Sequence, residues 1–327
     1  MPGPSKTAGM QKNDKDKRVS DLDQENLTDS DEALAAELAA QEETPPGDTD
    51  DGDKKTDWWG EIKGIFWLVV AVLAFHSLVA KPFYIPSESM MPGLIEGDRL
   101  VVTKYPYGWS YVSPSFHVLP FIEGRLFGRY PERGDIVIVV PRGGSNAGTD
   151  YIKRVIGLPG DTIEVSEGAV ILNGEPLRRE LREPAMIPVD ANMPCNEDLL
   201  IGRRTTGPDG REYCRLPIYR EYTPEGRYYD TVDLAITRAD FYDEITVPEG
   251  HVFLMGDNRD QSADSRASLE SAGLGGPVPV ESIGGRAEFI TFSLDGTSAW
   301  YNPISWFTAM RSGRAGSGLH PGRIEDE

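Results

Sequence analysis

The sequence predicts a mainly β fold that contains a smaller inserted β subdomain and follows one transmembrane helix. The helix is indicated by residues 64–80, the only long apolar run in the 327-residue chain. The β fold is indicated from residue 95 onward by short apolar runs that Gly and Pro separate, which is typical of all-β domains. The insertion is indicated by residues 178–245, where the composition changes to charged residues, Tyr and Pro.

The first segment, residues 1–57, is acidic and polar. Such a segment cannot bury enough apolar surface to offset the entropy lost on ordering, so we predict a disordered tail. It holds much of the excess negative charge of the chain, whose net charge is −20 and whose pI is about 4.6. This acidity argues against nucleic acid as a partner, because phosphate binding needs clustered Lys and Arg.

Residues 58–81 predict a transmembrane anchor. The uncharged run within them would span about 25 Å as a helix, which is at the short end for crossing a bilayer. Aromatic residues lie on both sides of the run, as in interfacial belts: Trp58, Trp59, Phe83 and Tyr84. The alternative is a buried core helix. The Lys and Arg residues around the run favour a cytoplasmic tail.

Short strands fill the chain after the anchor, and Asn173-Gly174 between two apolar runs is a strong hairpin signal. The predicted strands are 97–104, 134–140, 151–157, 162–165, 169–172, 175–177 and 251–257. The predicted segments are the first part of the β domain (82–177), the insertion (178–245), the second part (246–310) and a C-terminal tail (311–327).

Two further features leave alternatives open. Cys195 and Cys214 form a disulfide if this part of the chain faces an oxidising compartment, and are free thiols otherwise. Their spacing argues against a metal site. Residues 298–310 are apolar and aromatic on one side, which fits either a segment on a membrane surface or packing into the β domain.

Two serines, Ser87 and Ser89, lie between Pro86 and Pro92 directly after the anchor. The prolines disfavour a helix, so we predict an extended segment or turn that presents Ser89. A serine becomes a nucleophile only when a base lies within hydrogen-bond distance. Ser89 is therefore a candidate nucleophile only if a basic side chain lies beside it.

Lys153 is the best candidate for the base. It shares a strand face with Tyr151 and Val155, because alternate residues of a strand point to the same side. Burial lowers the pKa of an amine, and a neutral lysine can accept a proton from a serine. The alternative is a strand-edge lysine with its amine in water. None of the four histidines lies in a motif suited to Ser-His-Asp catalysis. His251, at the start of a predicted strand, remains an alternative base. The four are His76, His117, His251 and His320.

Residues 256–266 are dense in side chains that hydrogen-bond their own backbone or one another. A loop of this kind after an apolar strand either holds a site rigid or has a purely structural role. Its aspartates lack the spacing of a calcium-binding loop, so no metal ligand is predicted.

Three stretches together resemble type I signal peptidase, a family of membrane-bound serine peptidases that use lysine as base. They follow an anchor, occur in that family's order, and extend the resemblance over residues 60–310. The stretches are Ile85-Pro86-Ser87-Glu88-Ser89-Met90-Met91-Pro92, Tyr151-Ile152-Lys153-Arg154-Val155-Ile156-Gly157-Leu158-Pro159-Gly160-Asp161 and Gly256-Asp257-Asn258-Arg259-Asp260-Gln261-Ser262-Ala263-Asp264-Ser265-Arg266.

The resemblance implies an antiparallel β catalytic domain and an enzyme that cleaves signal peptides from exported preproteins after small residues at the −1 and −3 positions. It implies no metal or organic cofactor. The implied partners are the preproteins, the lipid bilayer and the protein-export machinery. The implied location is the bacterial inner membrane, with the tail in the cytoplasm and the catalytic domain on the outer face.

The resemblance also assigns roles to residues. Ser89 is the implied nucleophile and Lys153 the general base, with the Ser87 hydroxyl and the Ser89 N–H as the oxyanion hole. Ser262 would hydrogen-bond the lysine amine. The implied supporting residues are Ser262, Asp257, Asp264 and Arg266. The implied lining of the substrate pockets is Phe83, Ile85 and Ile152. Glu88 stands where many members have Gly, and would be strained if φ there were positive.

Other interpretations stay open. A conjugation-pilus maturation peptidase shares the fold and the motifs. A self-cleaving repressor of the same fold would have a DNA-binding module in place of the anchor. Outside enzymes, the alternative is a non-catalytic, membrane-anchored β scaffold that uses the acidic tail to dock partners.

Overall fold

The computed structural model describes residues 58–114, 124–144 and 146–326. The predicted disordered tail, 1–57, and His117 lie outside these residues. The described chain forms two α-helices, α1 (Trp58–Leu78) and α2 (Pro303–Thr308), and eighteen strands. In chain order the strands are β1 (Ala80–Tyr84), β2 (Asp98–Thr103), β3 (Trp109–Ser110), β4 (Arg125–Leu126), β5 (Ile136–Val139), β6 (Tyr151–Gly157), β7 (Thr162–Ser166), β8 (Ala169–Leu172), β9 (Glu175–Pro176), β10 (Arg178–Pro188), β11 (Arg204–Thr206), β12 (Glu212–Tyr222), β13 (Arg227–Thr231), β14 (Tyr242–Thr246), β15 (His251–Met255), β16 (Val278–Pro279), β17 (Ile283–Ser293) and β18 (Gly322–Arg323).

The mainly antiparallel β fold expected from the sequence is confirmed. The largest sheet has seven strands in the order β1-β2-β17-β5-β6-β15-β16. A second sheet has the order β10-β12-β13-β18, with β11 beside β12, and a third has the order β14-β7-β8-β9. The pair β3 and β4 stands apart. The large sheet unites strands from both sides of the insertion, since β15 pairs with β6 and β17 pairs with β5 and β2.

Helix α1 buries none of its 21 residues in the protein. By length and composition it is able to cross a membrane. A core helix of a soluble domain would be mostly buried, so the structure favours the anchor over that alternative. The helix ends at Leu78 rather than at residue 81, because the residue before Pro82 is disfavoured in helical conformation and the chain there pairs with β2 as strand β1.

Strands β10 to β13 of the predicted insertion, 178–245, form most of the second sheet, and two other strands cross the predicted divisions of the chain. Strand β14 (Tyr242–Thr246) begins in the predicted insertion, ends one residue beyond it, and pairs with β7 in the third sheet. Strand β18 lies in the predicted C-terminal tail and completes the sheet of the insertion by pairing with β13. The same tail is fixed by Arg311, whose Nε and Nη2 each donate to Asp190 at 2.7 Å.

The two features left open by the sequence are resolved in this structure. Cys195 and Cys214 are joined by a disulfide inside the insertion. The aromatic side chains of 298–310 are exposed, with 85% of Trp300 and 73% of Phe307 accessible. They therefore do not pack into the β domain.

The stretch that carries the two serines is fixed between two apolar cores. The Ile85 N–H donates to the Asp98 carbonyl at 2.9 Å, which ties the start of the stretch to β2. Met90 packs in the core of the large sheet, and Met91 packs in the core of the insertion beside the disulfide. The large sheet and the insertion thus hold Ser89 from both sides.

Candidate active site

Ser89, in the turn after β1, and Lys153, in β6, lie in direct contact. Lys153 Nζ is 3.0 Å from Ser89 Oγ and 3.0 Å from the carbonyl oxygen of Ile152. Lys153 is 2% exposed and Ser89 is 8% exposed. The Nζ–Oγ distance is that of a hydrogen bond, so a proton can move between these atoms without rearrangement.

Burial sets the protonation state of Lys153. It lowers the pKa of the amine to about 8, with the carboxylates of Asp264 and Asp257 opposing the shift and Arg266 adding to it. Strand β6 lies between β5 and β15 in the sheet, so the alternative of an edge lysine in water does not apply. A lysine with this pKa supplies a neutral amine at mildly alkaline pH.

The backbone around Ser89 is held by Asn258, and the Ser89 N–H makes no hydrogen bond in the described chain. Asn258 binds it twice: its N–H donates to the Ser89 carbonyl at 3.1 Å, and its Nδ2 donates to the Glu88 carbonyl at 3.2 Å. In the described parts of the chain, the Ser89 N–H donates to no protein acceptor. The hydroxyl of Ser87, an exposed residue, lies 3.4 Å from Ser89 Oγ. Neither predicted oxyanion donor is therefore engaged by a backbone acceptor in these described parts.

Two buried ion pairs fix the loop 256–266. Arg266 donates to both carboxylate oxygens of Asp264, at 2.9 and 2.8 Å, and the Gly256 N–H donates to Asp264 Oδ2 at 2.9 Å. Burial acts to raise the pKa of Asp264, but Arg266 and the Gly256 N–H outweigh it and hold that pKa below its usual range. Asp257 accepts from Nε and Nη2 of Arg154, at 2.6 Å each.

Ser262 lies in the site but does not make the hydrogen bond expected of it. Its hydroxyl is buried and has no partner among the residues that the structure describes. It lies next to Gly256, where an added Cβ would be 2.2 Å from Ser262 Oγ and 2.6 Å from the Ser89 carbonyl oxygen. Glycine at 256 therefore allows the end of β15, Ser262 and the Ser89 turn to meet.

We expect Gly256→Ala to destabilise the fold and to displace the Ser89 turn. An added methyl group at such a contact costs about 1–3 kcal/mol in stability through overpacking. Chemical denaturation of the purified protein in detergent measures this cost. Gly318→Ala is the matched control, since a Cβ there meets nothing within 4 Å. Equal stabilities of the two variants would contradict the close contact.

The three residues expected to line the substrate pockets belong to one apolar cluster. Ile85 and Ile152 are buried in it, and Phe83 packs half-buried against it. Ile152 directly precedes Lys153, and its carbonyl oxygen accepts from the lysine amine. The structure thus brings these three side chains together in one cluster.

Glu88, between the two serines, is a buried carboxyl group. Burial raises its pKa to about 7, and the carboxylates of Glu197 and Glu96 act in the same direction. Its φ is not among the positive values found in the described chain. The strain expected for a non-glycine residue with positive φ is therefore absent.

The sequence did not single out Arg154, Asn258 or Gly256 as site residues. The sequence did contain a signal for Arg154. Lys153 and Arg154 are adjacent in a buried strand and so point to opposite faces, and each buried cation needs a partner. Asn258 and Gly256 had none, since their contacts with Ser89 join distant parts of the chain.

The fold and the site together define a class, that of membrane-anchored hydrolases with a serine beside a buried lysine on an antiparallel β domain. The family model described as signal peptidase, peptidase S26, matches residues 58–292. The chain belongs to this family, as the resemblance of its motifs predicted, and it is a signal peptidase enzyme. The interpretation as a non-catalytic scaffold is therefore wrong.

Two relatives from Rickettsia agree with this assignment. Signal peptidase I of Rickettsia akari (strain Hartford) is 35% identical over 258 residues, which are 76% of this chain and 84% of that protein. Signal peptidase I of Rickettsia bellii (strain OSU 85-389) is 37% identical over 241 residues, 71% of this chain and 73% of that protein. A crystal structure of a signal peptidase I from Enterococcus faecalis V583 is 25% identical and covers 48% of this chain and 97% of its own, with a TM-score of 0.25.

Proposed function

We propose that this enzyme cleaves signal peptides from exported preproteins with Ser89 as nucleophile and Lys153 as general base. The observation that carries the proposal is the 3.0 Å contact between Ser89 Oγ and a buried Lys153 amine. Burial lowers the pKa of that amine to about 8, which suits a group that must accept a proton and then release it.

The proposed reaction has two halves. Lys153 takes the hydroxyl proton while Ser89 Oγ attacks the scissile carbonyl carbon, and the new oxyanion accepts hydrogen bonds from the Ser89 N–H and the Ser87 hydroxyl. The protonated lysine then gives its proton to the leaving amine of the mature protein. A water molecule, deprotonated by the same lysine, hydrolyses the acyl-enzyme. Each preorganised oxyanion donor is typically worth about 2.7–4 kcal/mol.

In the proposal, the cluster of Phe83, Ile85 and Ile152 selects small residues at the −1 and −3 positions of the substrate. The support is that these three residues belong to one apolar cluster and that Ile152 directly precedes Lys153 in β6. A pocket closed by apolar side chains rejects larger residues by overlap. The loop 256–266 keeps the Lys153 amine and the Ser89 hydroxyl at hydrogen-bond distance. It does so through Asp257, Asp264, Arg266 and the adjacent Ser262.

Substrate selection tests this assignment directly. We expect Ile152→Ala to deepen a pocket, so that the kcat/KM ratio for a preprotein with Val at −1 over one with Ala at −1 rises about tenfold. Cleavage of the two purified preproteins, followed by mass spectrometry of the products, gives the ratio. Ile290→Ala is the control, because Ile290 is buried in the same cluster on β17. An unchanged ratio in Ile152→Ala would remove Ile152 from the pocket.

We further propose that α1 spans the bacterial inner membrane with the acidic segment in the cytoplasm and the catalytic domain outside. The Cys195–Cys214 disulfide supports this orientation, because disulfides persist in oxidising compartments such as the periplasm. Preproteins delivered by the export machinery are held in the same bilayer, which raises the effective concentration of their cleavage sites. A pilus-type peptidase would instead process only its own precursor and leave secretory preproteins intact.

A further inference from the structure

Three aspartate side chains from separate parts of the chain meet beside the loop 256–266. Asp233 follows β13, Asp240 precedes β14, and Asp260 lies in the loop itself. One carboxylate oxygen from each residue lies within 4.8 Å of the others. We call these three residues the aspartate cluster.

The aspartate cluster has more negative charge than its protein partners balance. Asp233 forms a salt bridge with Arg179, whose Nη2 lies 2.7 Å from Asp233 Oδ2. Neither Asp240 nor Asp260 forms a salt bridge in the described chain. Three carboxylates against one guanidinium leave an excess of two negative charges, which equals the charge of one divalent cation.

Two oxygens of the cluster are buried without a hydrogen-bond partner. Asp240 is 2% exposed; its Oδ2 accepts from the Thr237 N–H at 2.6 Å, and its Oδ1 accepts from nothing in the described chain. Asp260 repeats the pattern, since Oδ2 accepts from the Leu234 N–H at 2.6 Å and Oδ1 is buried and unpartnered. Leaving a buried anionic oxygen unpaired is costly, so both atoms are suited to bind a ligand.

A glycine leaves space at the same point. A Cβ added to Gly168, in the turn between β7 and β8, would lie 2.9 Å from Asp233 Oδ2 and 3.3 Å from Asp240 Oδ1. These two oxygens therefore face the same space, which a side chain at 168 would fill. The backbone of Gly168 is itself tied to the cluster, since its N–H donates to the Asp240 carbonyl at 3.1 Å.

We propose that the aspartate cluster binds one divalent cation, Ca²⁺ in preference to Mg²⁺. All of the side-chain donors are oxygens, which suit hard cations rather than zinc or copper. Three oxygens within 4.8 Å of one another lie at most about 2.8 Å from a common centre, since that distance is the separation divided by √3, so a small inward movement brings them to calcium–oxygen distances, whereas the shorter bonds of Mg²⁺ require a larger one. Ca²⁺ also accepts irregular geometry, with water completing its coordination.

The cation would tie the insertion to the loop that holds Ser89. Val232, next to Asp233, donates to the Asp257 carbonyl at 2.8 Å and accepts from the Arg259 N–H at 2.9 Å. Between these contacts, Asn258 donates to the Ser89 carbonyl at 3.1 Å. The cluster is therefore a structural site, whose residues take no part in the proposed proton transfer and whose occupation stabilises the backbone around the nucleophile.

The test is thermal unfolding of the full-length protein in detergent, first with EDTA and then with increasing Ca²⁺. Ca²⁺ should raise Tm by about 5–10 °C when it is roughly 100-fold above its Kd, and Mg²⁺ should raise it less. Asp240→Asn should lose this rise. In EDTA the same variant should melt no lower than the wild type, because it removes an unpaired buried charge while its amide oxygen still accepts from the Thr237 N–H.

Asp243→Asn is the matched control, since Asp243 is an exposed carboxylate of β14, and it should keep the full calcium response. Asp233→Asn is a second cluster variant in case Asp240→Asn fails to fold, and it should also lose the response. A wild-type Tm insensitive to millimolar Ca²⁺, or an equal rise in the cluster variants, overturns the proposal.

Discussion

Replacing Ser89 with Ala should lower kcat/KM for preprotein cleavage by about 10⁴-fold or more, and Lys153→Met should lower it to a similar extent. The two side chains act as one unit in the proposed reaction, because the hydroxyl is a poor nucleophile until the amine takes its proton. Methionine fills nearly the volume of lysine and removes a buried amine, so Lys153→Met is expected to fold. Cleavage of a purified preprotein, followed by gel electrophoresis, measures the loss.

Lys104 offers a matched control for this experiment. It is also a buried lysine, 4% exposed, and burial also lowers its pKa to about 8. Its amine donates to the Ser113 carbonyl rather than to a serine hydroxyl. Lys104→Met should therefore retain activity. Wild-type rates in Ser89→Ala or Lys153→Met, or equal losses in Lys153→Met and Lys104→Met, would remove the proposed dyad.

Activity should fall on acidification, by about tenfold for each pH unit below the Lys153 pKa of about 8, because only the neutral amine accepts the proton. The lowered pKa means that protonation is less favourable in the folded chain than in the unfolded one. Stability therefore also decreases as pH falls from the ordinary lysine range toward about 8, and changes no further from this group below that value. The measurement is kcat/KM across pH, with activity recovered on return to alkaline pH to exclude unfolding.

Two other groups could produce a similar profile, and each has a variant that separates it. The pKa of Lys104 is about 8 and that of Glu88 is about 7, so both groups change protonation in the same pH range as Lys153. Lys104→Met and Glu88→Gln should keep the acid limb of the wild-type profile unchanged. Loss of that limb in either variant, or a flat wild-type profile between pH 6 and 8, would contradict the assignment of the limb to Lys153.

The sequence predicted those features that depend on local pattern or on motif. Alternation in the strand around Lys153 gave its face, and the prolines around Ser89 gave a turn. The bonding of Ser262 could not be predicted, because a hydroxyl in a polar loop has many possible partners. The aspartate cluster was also beyond sequence analysis, since Asp233 and Asp260 meet only when the insertion folds against the loop 256–266.

Strand β18 is a second feature that the sequence could not predict. Two residues at the end of the chain carry no β signal of their own, and they pair only because β13 presents an edge to them. Cys195 and Cys214 left two chemical states open in the sequence, and the fold of the insertion determines which applies. Long-range contacts thus decided what composition left undetermined.

One connection near the start of the described chain has a consequence for where substrates are cut. A single residue, Val79, separates α1 from β1; its N–H donates to the Phe75 carbonyl and its carbonyl accepts from the Lys104 N–H, both at 2.9 Å. Because this connection is short and hydrogen-bonded on both sides, it fixes the distance between the end of α1 and the proposed nucleophile. The length of this connection then sets how far from the membrane the preprotein is cut. Extra residues inserted after Val79 would shift the scissile bond along the preprotein.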